Sequence, residues 1–203
     1  MKSIAICGVD GSGKSTIVNM LEQSGLLNNA FYFRRTKYLD GNLELLKRYL
    51  PRKYRDARDW KDSSFGKSVG LGILMDFLRC YDEQLSTIEK YDCVVFDRYI
   101  FCYLAYINLF QDIKDFKKLT ANCIRPNLIL YIDAGISNLE QRYSERCSNE
   151  EDEDLELMEM FDMSYRRTFD VLGQEYSIID NSGSFSSTKE QVFGAVQSIV
   201  EKV

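Results

Sequence analysis

The feature that most constrains the fold is a glycine-rich turn between an apolar segment and a helical one. Residues 8–16 read Gly-Val-Asp-Gly-Ser-Gly-Lys-Ser-Thr, between a predicted strand over Lys2–Cys7 and a predicted helix over Lys14–Ser24. This is the full spacing GxxxxGK followed by Ser or Thr. Glycines let backbone N–H groups curve around phosphate oxygens, and the helix N-terminus adds its positive dipole end. The pattern therefore predicts a phosphate-binding loop.

Strands and helices alternate along the rest of the chain. Apolar runs predict further strands at Ala30–Arg34, Asp92–Asp97, Asn127–Asp133 and Tyr176–Asp180. Helical periodicity covers Val69–Glu89, Tyr99–Phe110, Ile113–Asn122, Ser137–Cys147, Asp154–Leu172 and Thr188–Val200. Apolar strands separated by helices are typical of a parallel sheet covered on both faces. We expect an α/β P-loop NTPase fold, with a five-stranded parallel sheet flanked by helices on both faces, in one domain over residues 1–203.

Composition excludes several classes of function. The net charge is −5 and the pI is about 5.0, so we expect no nucleic-acid partner. The absence of histidine rules out histidine triads and histidine metal sites, which leaves oxygen-ligated Mg²⁺ as the expected metal. Six cysteines without a CxxC pair indicate reduced thiols and a cytoplasmic protein. No apolar run is long enough for a membrane span or signal peptide.

The loop predicts how ATP and its metal are held. Lys14 would reach the β- and γ-phosphates, and the Ser15 hydroxyl would ligate Mg²⁺. The expected ATP-binding residues are Gly8, Gly11, Ser12, Gly13, Lys14, Ser15 and Thr16. A guanine-reading NKxD is absent, and the glycine spacing does not fit a dinucleotide site. The loop indicates phosphate chemistry without naming a reaction.

A second charged motif follows the third predicted strand. Asp97 at the end of this strand is expected to hold Mg²⁺, usually through water, and Arg98 to grip a phosphate with its bidentate guanidinium. The alternative is an aspartate helix cap beside a surface arginine.

Five segments, in order, resemble thymidylate kinases of the nucleoside monophosphate kinase superfamily. They are the P-loop at 8–16, Asp97-Arg98-Tyr99 with Ala105-Tyr106, the strand 125–133 (RPNLILYID), the pair Arg142 and Arg146, and the turn 178–183 (IIDNSG). The resemblance covers nearly the whole chain. It implies phosphoryl transfer from ATP with Mg²⁺ to a nucleoside monophosphate, with dTMP the first acceptor to consider. It also implies a homodimer.

The resemblance implies a role for each charged residue near the transferred group. Lys14 and Arg98 would contact the phosphates, and Asp10 the acceptor sugar. Because no arginine lies within the P-loop, a mobile lid at about 142–154 would supply Arg142 and Arg146. Their i,i+4 spacing places both on one helix face. The alternative is that both arginines lie on a solvated helix face and take no part in catalysis.

The resemblance also implies an acceptor site. It matches Arg35 to an arginine that meets the acceptor phosphate, with Arg34 as the alternative, and Arg79 to an arginine that contacts thymine. Tyr106 matches a tyrosine that crowds the sugar 2′ position, and its alternative is a core aromatic.

Three departures concern the acceptor. Met75 stands where the family has a stacking phenylalanine, and Cys102 and Tyr103 where it has small or amide side chains. An extended acceptor-side segment, about 37–68, carries a basic cluster over Lys47–Lys61. These departures favour a kinase of the same kind with another acceptor: another nucleotide, a nucleoside or a phosphorylated metabolite. A regulatory ATP-binding protein without transfer activity is a third reading, disfavoured by the arginine pair.

Overall fold

The computed structural model of the chain describes residues 1–35, 64–145 and 155–201. Five strands form one sheet: β1 (Lys2–Cys7), β2 (Ala30–Arg34), β3 (Cys93–Asp97), β4 (Leu128–Asp133) and β5 (Ser177–Asp180). The strand order is β2-β3-β1-β4-β5, and the pairings are parallel. The predicted parallel α/β fold is therefore confirmed.

Helices connect and cover the strands. They are α1 (Lys14–Ser24), α2 (Ser64–Ile88), α3 (Ile100–Asn108), α4 (Lys117–Thr120), α5 (Ile136–Glu145), α6 (Leu155–Leu172) and α7 (Phe185–Val200). A 3₁₀ turn over Lys114–Phe116 precedes α4, so the single helix predicted over Ile113–Asn122 is wrong. No helix in the described ranges combines the length and apolarity that a membrane span requires.

The central strand faces two separate cores. Ile4 and Ile6 point into a cluster formed with α1 and α7. Ala5 and Cys7 point into a larger cluster formed with α2, α3 and α6. Because both faces of the sheet are covered, neither face of β1 needs polar residues, and its middle residues are fully buried.

Parallel register brings the charged strand ends together. Asp97 pairs in register with Ile6 of β1 and with Arg34 of β2, and Asp133 pairs with Asp180. The glycine-rich turn leaves β1 at the same edge of the sheet. Ligands of open α/β sheets bind beyond this edge, which is where both predicted motifs lie.

Candidate active site

The glycine-rich turn adopts a conformation that side chains would not permit. Gly8, Gly11 and Gly13 have φ values of 144°, 75° and 98°. A Cβ atom on Gly8 would lie 2.7 Å from the carbonyl oxygen of Ile132, and one on Gly13 would lie 2.5 Å from Nδ2 of Asn181. Close approach of the Ile132 backbone at Gly8 and of the Asn181 amide at Gly13 adds to the effect of positive φ, and at Gly11 the positive φ favours glycine.

Lys14 is enclosed by the loop that precedes it. Its Nζ donates to the Val9 carbonyl at 2.5 Å and lies 3.6 Å from the Asp10 carboxylate. Burial, together with the positive charge of Arg98, lowers the pKa of Lys14 to about 8. A phosphate bound in the loop would stabilise the charged form of Lys14 and so raise its pKa.

Arg98 and Asp10 form an ion pair across the mouth of the loop. The Arg98 guanidinium donates to the Asp10 carboxylate. Desolvation in the cleft raises the pKa of Asp10, but the charges of Arg98 and Lys14 outweigh it and hold this pKa well below its usual range. Asp10 is therefore a carboxylate that stays ionised between two cations.

Ser15 and Asp97 provide a pair of hard oxygen ligands. The Ser15 hydroxyl donates to Oδ2 of Asp97 at 3.2 Å, which joins the start of α1 to the end of β3. The described residues contain no group of three or more carboxylate, cysteine or histidine side chains suited to a metal. Mg²⁺ needs no such cage, because it is commonly held by one or two protein oxygens together with water and substrate phosphates. The pair therefore fits Mg²⁺.

Arg142 and Asn181 clamp the phosphate-binding loop from the far side. The Arg142 guanidinium donates to the carbonyls of Gly11 at 3.1 Å and Asn181 at 2.8 Å. The Asn181 amide donates to the Ser12 carbonyl at 2.7 Å and accepts from the Thr188 hydroxyl. The loop is thus tied to α5, to the end of β5 and to the first turn of α7.

A cavity of about 460 Å³ opens beside this loop. Its floor and mouth carry the charged groups, and α3 and α6 supply aromatic walls. The lining residues are Val9, Asp10, Ser15, Arg34, Arg35, Ile73, Asp97, Arg98, Cys102, Tyr103, Tyr106, Met158, Phe161 and Tyr165. Its volume lies within the range of small-molecule sites.

A buried aspartate organises the end of the cavity nearest α2. The Asp76 side chain is 2% exposed and accepts from Arg35 at 3.1 Å and from Arg79 at 3.1 Å. The Arg35 guanidinium also lies over the Tyr103 ring, 5.3 Å from its centroid. Tyr103 in turn stacks on Phe77 with centroids 4.7 Å apart. Arg35 is therefore held against the aromatic wall.

Comparison with protein families shows where the chain belongs. The deoxynucleoside kinase family model matches residues 4–201. The chain belongs to the deoxynucleoside kinase family. It is accordingly an ATP-dependent kinase, whereas the five motifs alone indicated thymidylate kinases. The dTMP acceptor has no support in this match, and the predicted alternative of another acceptor fits the family better.

Solved structures of similar shape support the same fold. A deoxyadenosine kinase from M. mycoides with bound dATP superposes with a TM-score of 0.66 at 18% identity, over 97% of this chain and 100% of that one. Structures of deoxyadenosine kinase from M. mycoides with products dCMP and a flexible dCDP, and with dCTP, give a TM-score of 0.63 at 17% and 16% identity. Each covers 97% of this chain and 99% of the other. No curated protein sequence matches the kinase.

The cavity does not include every residue predicted for the acceptor site. Asp10, Arg35, Arg98, Tyr103 and Tyr106 line it. Met75 is not among the lining residues and its side chain is 69% exposed, so its contact with the acceptor stays a prediction.

Arg79 lies outside the lining. It pairs with Asp76 and with Glu83, the latter at 2.6 Å. Arg146, the basic cluster over Lys47–Lys61 and most of the lid at 142–154 lie outside the described residues.

Sequence reasoning gave no role to several residues of the site. Asp76 sits within an apolar helical pattern, and only its burial and its two arginine partners show its importance. Asn181 lies in the turn that the sequence analysis noted after the last strand. Its hydrogen bond to Ser12 could not be predicted, because the two residues are 169 positions apart in the sequence. Phe161 and Tyr165 come from α6, whose packing against α3 is a tertiary property.

Proposed function

We propose that this kinase transfers the γ-phosphoryl group of ATP to the 5′-hydroxyl of a deoxynucleoside. The observation that carries the proposal is the charge balance of the cavity. Arg98 pairs with Asp10, Arg35 with Asp76, and Arg34 with Glu22 at 2.8 Å. Arg98 is left for the phosphoryl group of ATP, and because Arg34 and Arg35 each have a carboxylate partner, the cavity suits an acceptor without charge of its own.

The walls suit a base and a sugar. Tyr103, Tyr106 and Phe161 offer aromatic faces, and the Tyr106 and Phe161 rings lie 5.7 Å apart. Ile73 and Met158 add apolar surface. We place the base between these walls and the sugar toward Asp10, because the hydroxyl to be phosphorylated must lie beside the phosphate-binding loop.

Phosphoryl transfer requires positioned positive charge, because negative charge spreads over the transferred group in the transition state. Arg98 lines the cavity, Lys14 is enclosed by the loop, and Arg142 contacts the loop through the Gly11 carbonyl. We assign Lys14 to the β- and γ-phosphates and Arg98 to the transferred group. Arg142 is placed to turn from the Gly11 carbonyl to the phosphate chain once ATP is bound.

Asp10 is the acceptor-side carboxylate. It lines the cavity and remains ionised, since its pKa is held low by Arg98 and Lys14. We infer that Asp10 accepts a hydrogen bond from the acceptor hydroxyl and orients its oxygen toward the γ-phosphate. Such a weak base suffices because the transition state of phosphoryl transfer is loose and makes little demand for proton removal.

Ser15 and Asp97 are the residues that would hold Mg²⁺. A Mg²⁺ ion held there would supply positive charge beside the phosphates of ATP. Asp97 also accepts from Ser15, which fixes the hydroxyl at the first turn of α1.

A second candidate acceptor is a deoxynucleoside monophosphate such as dTMP. Arg34 and Arg35 both line the cavity, and an acceptor phosphate could draw them from Glu22 and Asp76. Arginine matches phosphate geometry with two parallel hydrogen bonds. This candidate keeps the same donor chemistry and differs only in what Arg35 contacts.

ADP release across single acceptors distinguishes the two. The panel is the four deoxynucleosides, their 5′-monophosphates and the matching ribonucleosides, each with ATP and Mg²⁺. We expect turnover with at least one deoxynucleoside at a kcat/KM at least tenfold above its monophosphate. Turnover with monophosphates alone would establish the second candidate. ATP binding without turnover on any acceptor would contradict both and support a regulatory protein.

Other expectations remain predictions. These are one kinase domain over residues 1–203, a lid at about 142–154 and a homodimer. For the dimer, the outer face of α2 offers exposed apolar side chains, with Leu71 at 37% and Met75 at 69% exposure. Light scattering on Met75→Glu, with the exposed Met163→Glu on α6 as control, tests this face.

A further inference from the structure

A buried carboxylate on α2 binds two arginines through separate oxygens. The Asp76 side chain is 2% exposed, its Oδ2 accepts from Arg35 at 3.1 Å, and its Oδ1 accepts from Arg79 at 3.1 Å. Burial of a carboxylate is costly unless the group is paired and hydrogen-bonded, and both conditions are met here. The two arginines therefore offset the cost of burying Asp76.

The two arginines differ in their surroundings. The Arg79 side chain is 41% exposed, lies outside the cavity lining and has a second carboxylate partner, Glu83, at 2.6 Å. The Arg35 side chain is 10% exposed, lines the cavity and lies against the Tyr103 ring. Asp76 therefore acts on the charge balance of the cavity chiefly through Arg35.

Arg35 lies at the edge of the sheet that carries the phosphate-binding loop. It directly follows β2, whose last residue, Arg34, is in register with Asp97. Arg34 also lines the cavity, but its pair with Glu22 is exposed on both sides, and solvent screens such pairs. A bound acceptor would therefore respond more strongly to the charge balance of the buried pair between Arg35 and Asp76.

We propose that Asp76 is a specificity-determining residue, which makes the cavity reject acceptors that already carry a phosphate. This role rests on the proposed function. A phosphate monoester carries about 1.5 to 2 negative charges at neutral pH, and it could bind Arg35 only by drawing this guanidinium from Asp76. The exchange would leave the buried carboxylate with one arginine and bring a second anion close to it. A deoxynucleoside leaves the pair intact.

Asp76→Asn tests this role, because asparagine keeps the shape and an acceptor oxygen but removes the charge. Calorimetry measures the Kd of each of the four deoxynucleosides and of its own 5′-monophosphate, and steady-state assays measure kcat/KM for the same pairs. We expect the Kd of the monophosphate to fall at least tenfold and that of the deoxynucleoside to change less than threefold. The ratio of kcat/KM between deoxynucleoside and monophosphate should fall at least tenfold. Structural damage would weaken the binding of both ligands, so a gain in monophosphate affinity identifies an effect of charge.

Two further variants make the result specific. Glu83→Gln is the matched control, since it removes a carboxylate that pairs with Arg79 outside the cavity, and both Kd values should stay within threefold of the wild type. The double variant Asp76→Asn with Arg35→Gln should lose the gain in monophosphate affinity, because the released guanidinium is gone. An equal gain in the single and the double variant would overturn the proposal, as would an unchanged monophosphate Kd in Asp76→Asn.

Arg35→Gln covers the case in which Asp76→Asn does not fold. This variant leaves Asp76 paired with Arg79, so the buried carboxylate keeps a cation. Because one positive charge fewer balances the carboxylate, the Kd of the monophosphate should rise at least threefold. A monophosphate Kd equal to that of the wild type would show that the pair does not sense the acceptor phosphate, and would overturn the proposal.

The proposed function and the role of Asp76 fail in different experiments. A wild-type enzyme that turns over monophosphates in preference to deoxynucleosides would contradict both, before any variant is made. A wild-type enzyme that prefers deoxynucleosides, with the same preference in Asp76→Asn, would leave the proposed function standing and refute only the role of Asp76.

Discussion

Arg98 combines an unusual backbone with a central position among the charges. Its φ of 68° is rare for a residue with a side chain and costs on the order of 1 kcal/mol or more. The backbone is held by a bond from its N–H to the Ile6 carbonyl at 3.2 Å, and the side chain by Asp10. This geometry turns the guanidinium from the end of β3 toward the phosphate-binding loop. Its charge then acts on both Asp10 and Lys14.

The lowered pKa of Lys14 predicts how ATP affinity depends on pH. In the free kinase this pKa is about 8, and bound triphosphate raises it. Below pH 8 the ammonium is already charged and ATP affinity is constant. Above pH 8 binding must take up a proton, so affinity falls by up to about tenfold per pH unit.

Calorimetry in two buffers of different ionisation enthalpy measures this proton uptake directly. It should be near zero at pH 6.5 and rise toward one proton above pH 8. In Asp10→Asn the onset should move to lower pH, because Asp10 raises the pKa of Lys14. Affinity that stays level through pH 9.5 would refute this assignment.

Replacing Arg142 should lower the turnover rate much more than the affinity for ATP. Because Arg142 is proposed as a cation that stabilises the transition state, Arg142→Ala should lower kcat by about 10³-fold. The Kd for ATP should change less than tenfold, because the glycines, Lys14 and Asn181 still form the loop. Stopped-flow turnover and calorimetry measure the two quantities. The exposed Arg167 on α6 supplies the matched control, Arg167→Ala, with near-normal values for both. A collapse of ATP affinity with kcat retained would show that Arg142 only holds the loop.

At the scale of elements, two glycines in helices predict opposite changes in stability. A Cβ on Gly70 of α2 would lie 3.1 Å from both Cγ1 of Ile107 and Cδ1 of Tyr106 on α3. Gly194 of α7 has no heavy atom within 4 Å of such a Cβ, among the residues the structure describes. Gly70→Ala should therefore lower the free energy of unfolding by about 1 kcal/mol, since the clash exceeds the gain in helix propensity. Gly194→Ala should raise it by about 0.5–1 kcal/mol.

Urea unfolding of the two variants measures these changes. Gly70→Ala should also raise the acceptor KM, because the displaced Tyr106 lines the cavity, whereas Gly194→Ala should leave it unchanged. Equal stability of the two variants would mean that the contact between α2 and α3 yields to an extra methyl group.

Strands were predictable from sequence to within one residue at each end, because fully apolar runs between polar segments leave few alternatives. The first residues of the helices were less predictable than the ends of the strands. The apolar periodicity of α2 begins near Val69, but the helix begins at Ser64, since residues 64–68 contribute a turn without an apolar stripe. The segment after Ile113 carries enough apolar residues to suggest one helix, yet it forms a 3₁₀ turn and a single α-helical turn.

The conformation of the glycine-rich loop could be predicted because its residues lie in one contiguous motif. The full lining of the cavity could not, since it is assembled from elements that are distant in the sequence. Helical phase separates Met75 from its neighbours on α2: Ile73 lines the cavity and Asp76 is buried, whereas Met75 is exposed. Arg35, the partner of Asp76 directly after β2, lies 41 residues away in the sequence, and no local pattern joins the two.

At the scale of the whole molecule, the strand order explains why one site can hold both substrates. β1 lies at the centre of the sheet with β3 on one side and β4 on the other. The loop after β1 therefore meets Asp97 and Arg98 on the acceptor side. On the opposite side it meets Arg142 and Asn181. In the proposed function, donor and acceptor would approach the loop from these two sides, with the γ-phosphate between them.

The central claim is that this kinase phosphorylates a deoxynucleoside hydroxyl. The most direct measurement is mass spectrometry of the products after incubation with ATP, Mg²⁺ and an equimolar mixture of the four deoxynucleosides and their 5′-monophosphates. The monophosphates carry an ¹⁸O label in the phosphate, so that new and supplied monophosphates differ in mass. The account predicts unlabelled deoxynucleoside 5′-monophosphate as the first product. Labelled diphosphate as the first product, with no unlabelled monophosphate, would contradict it.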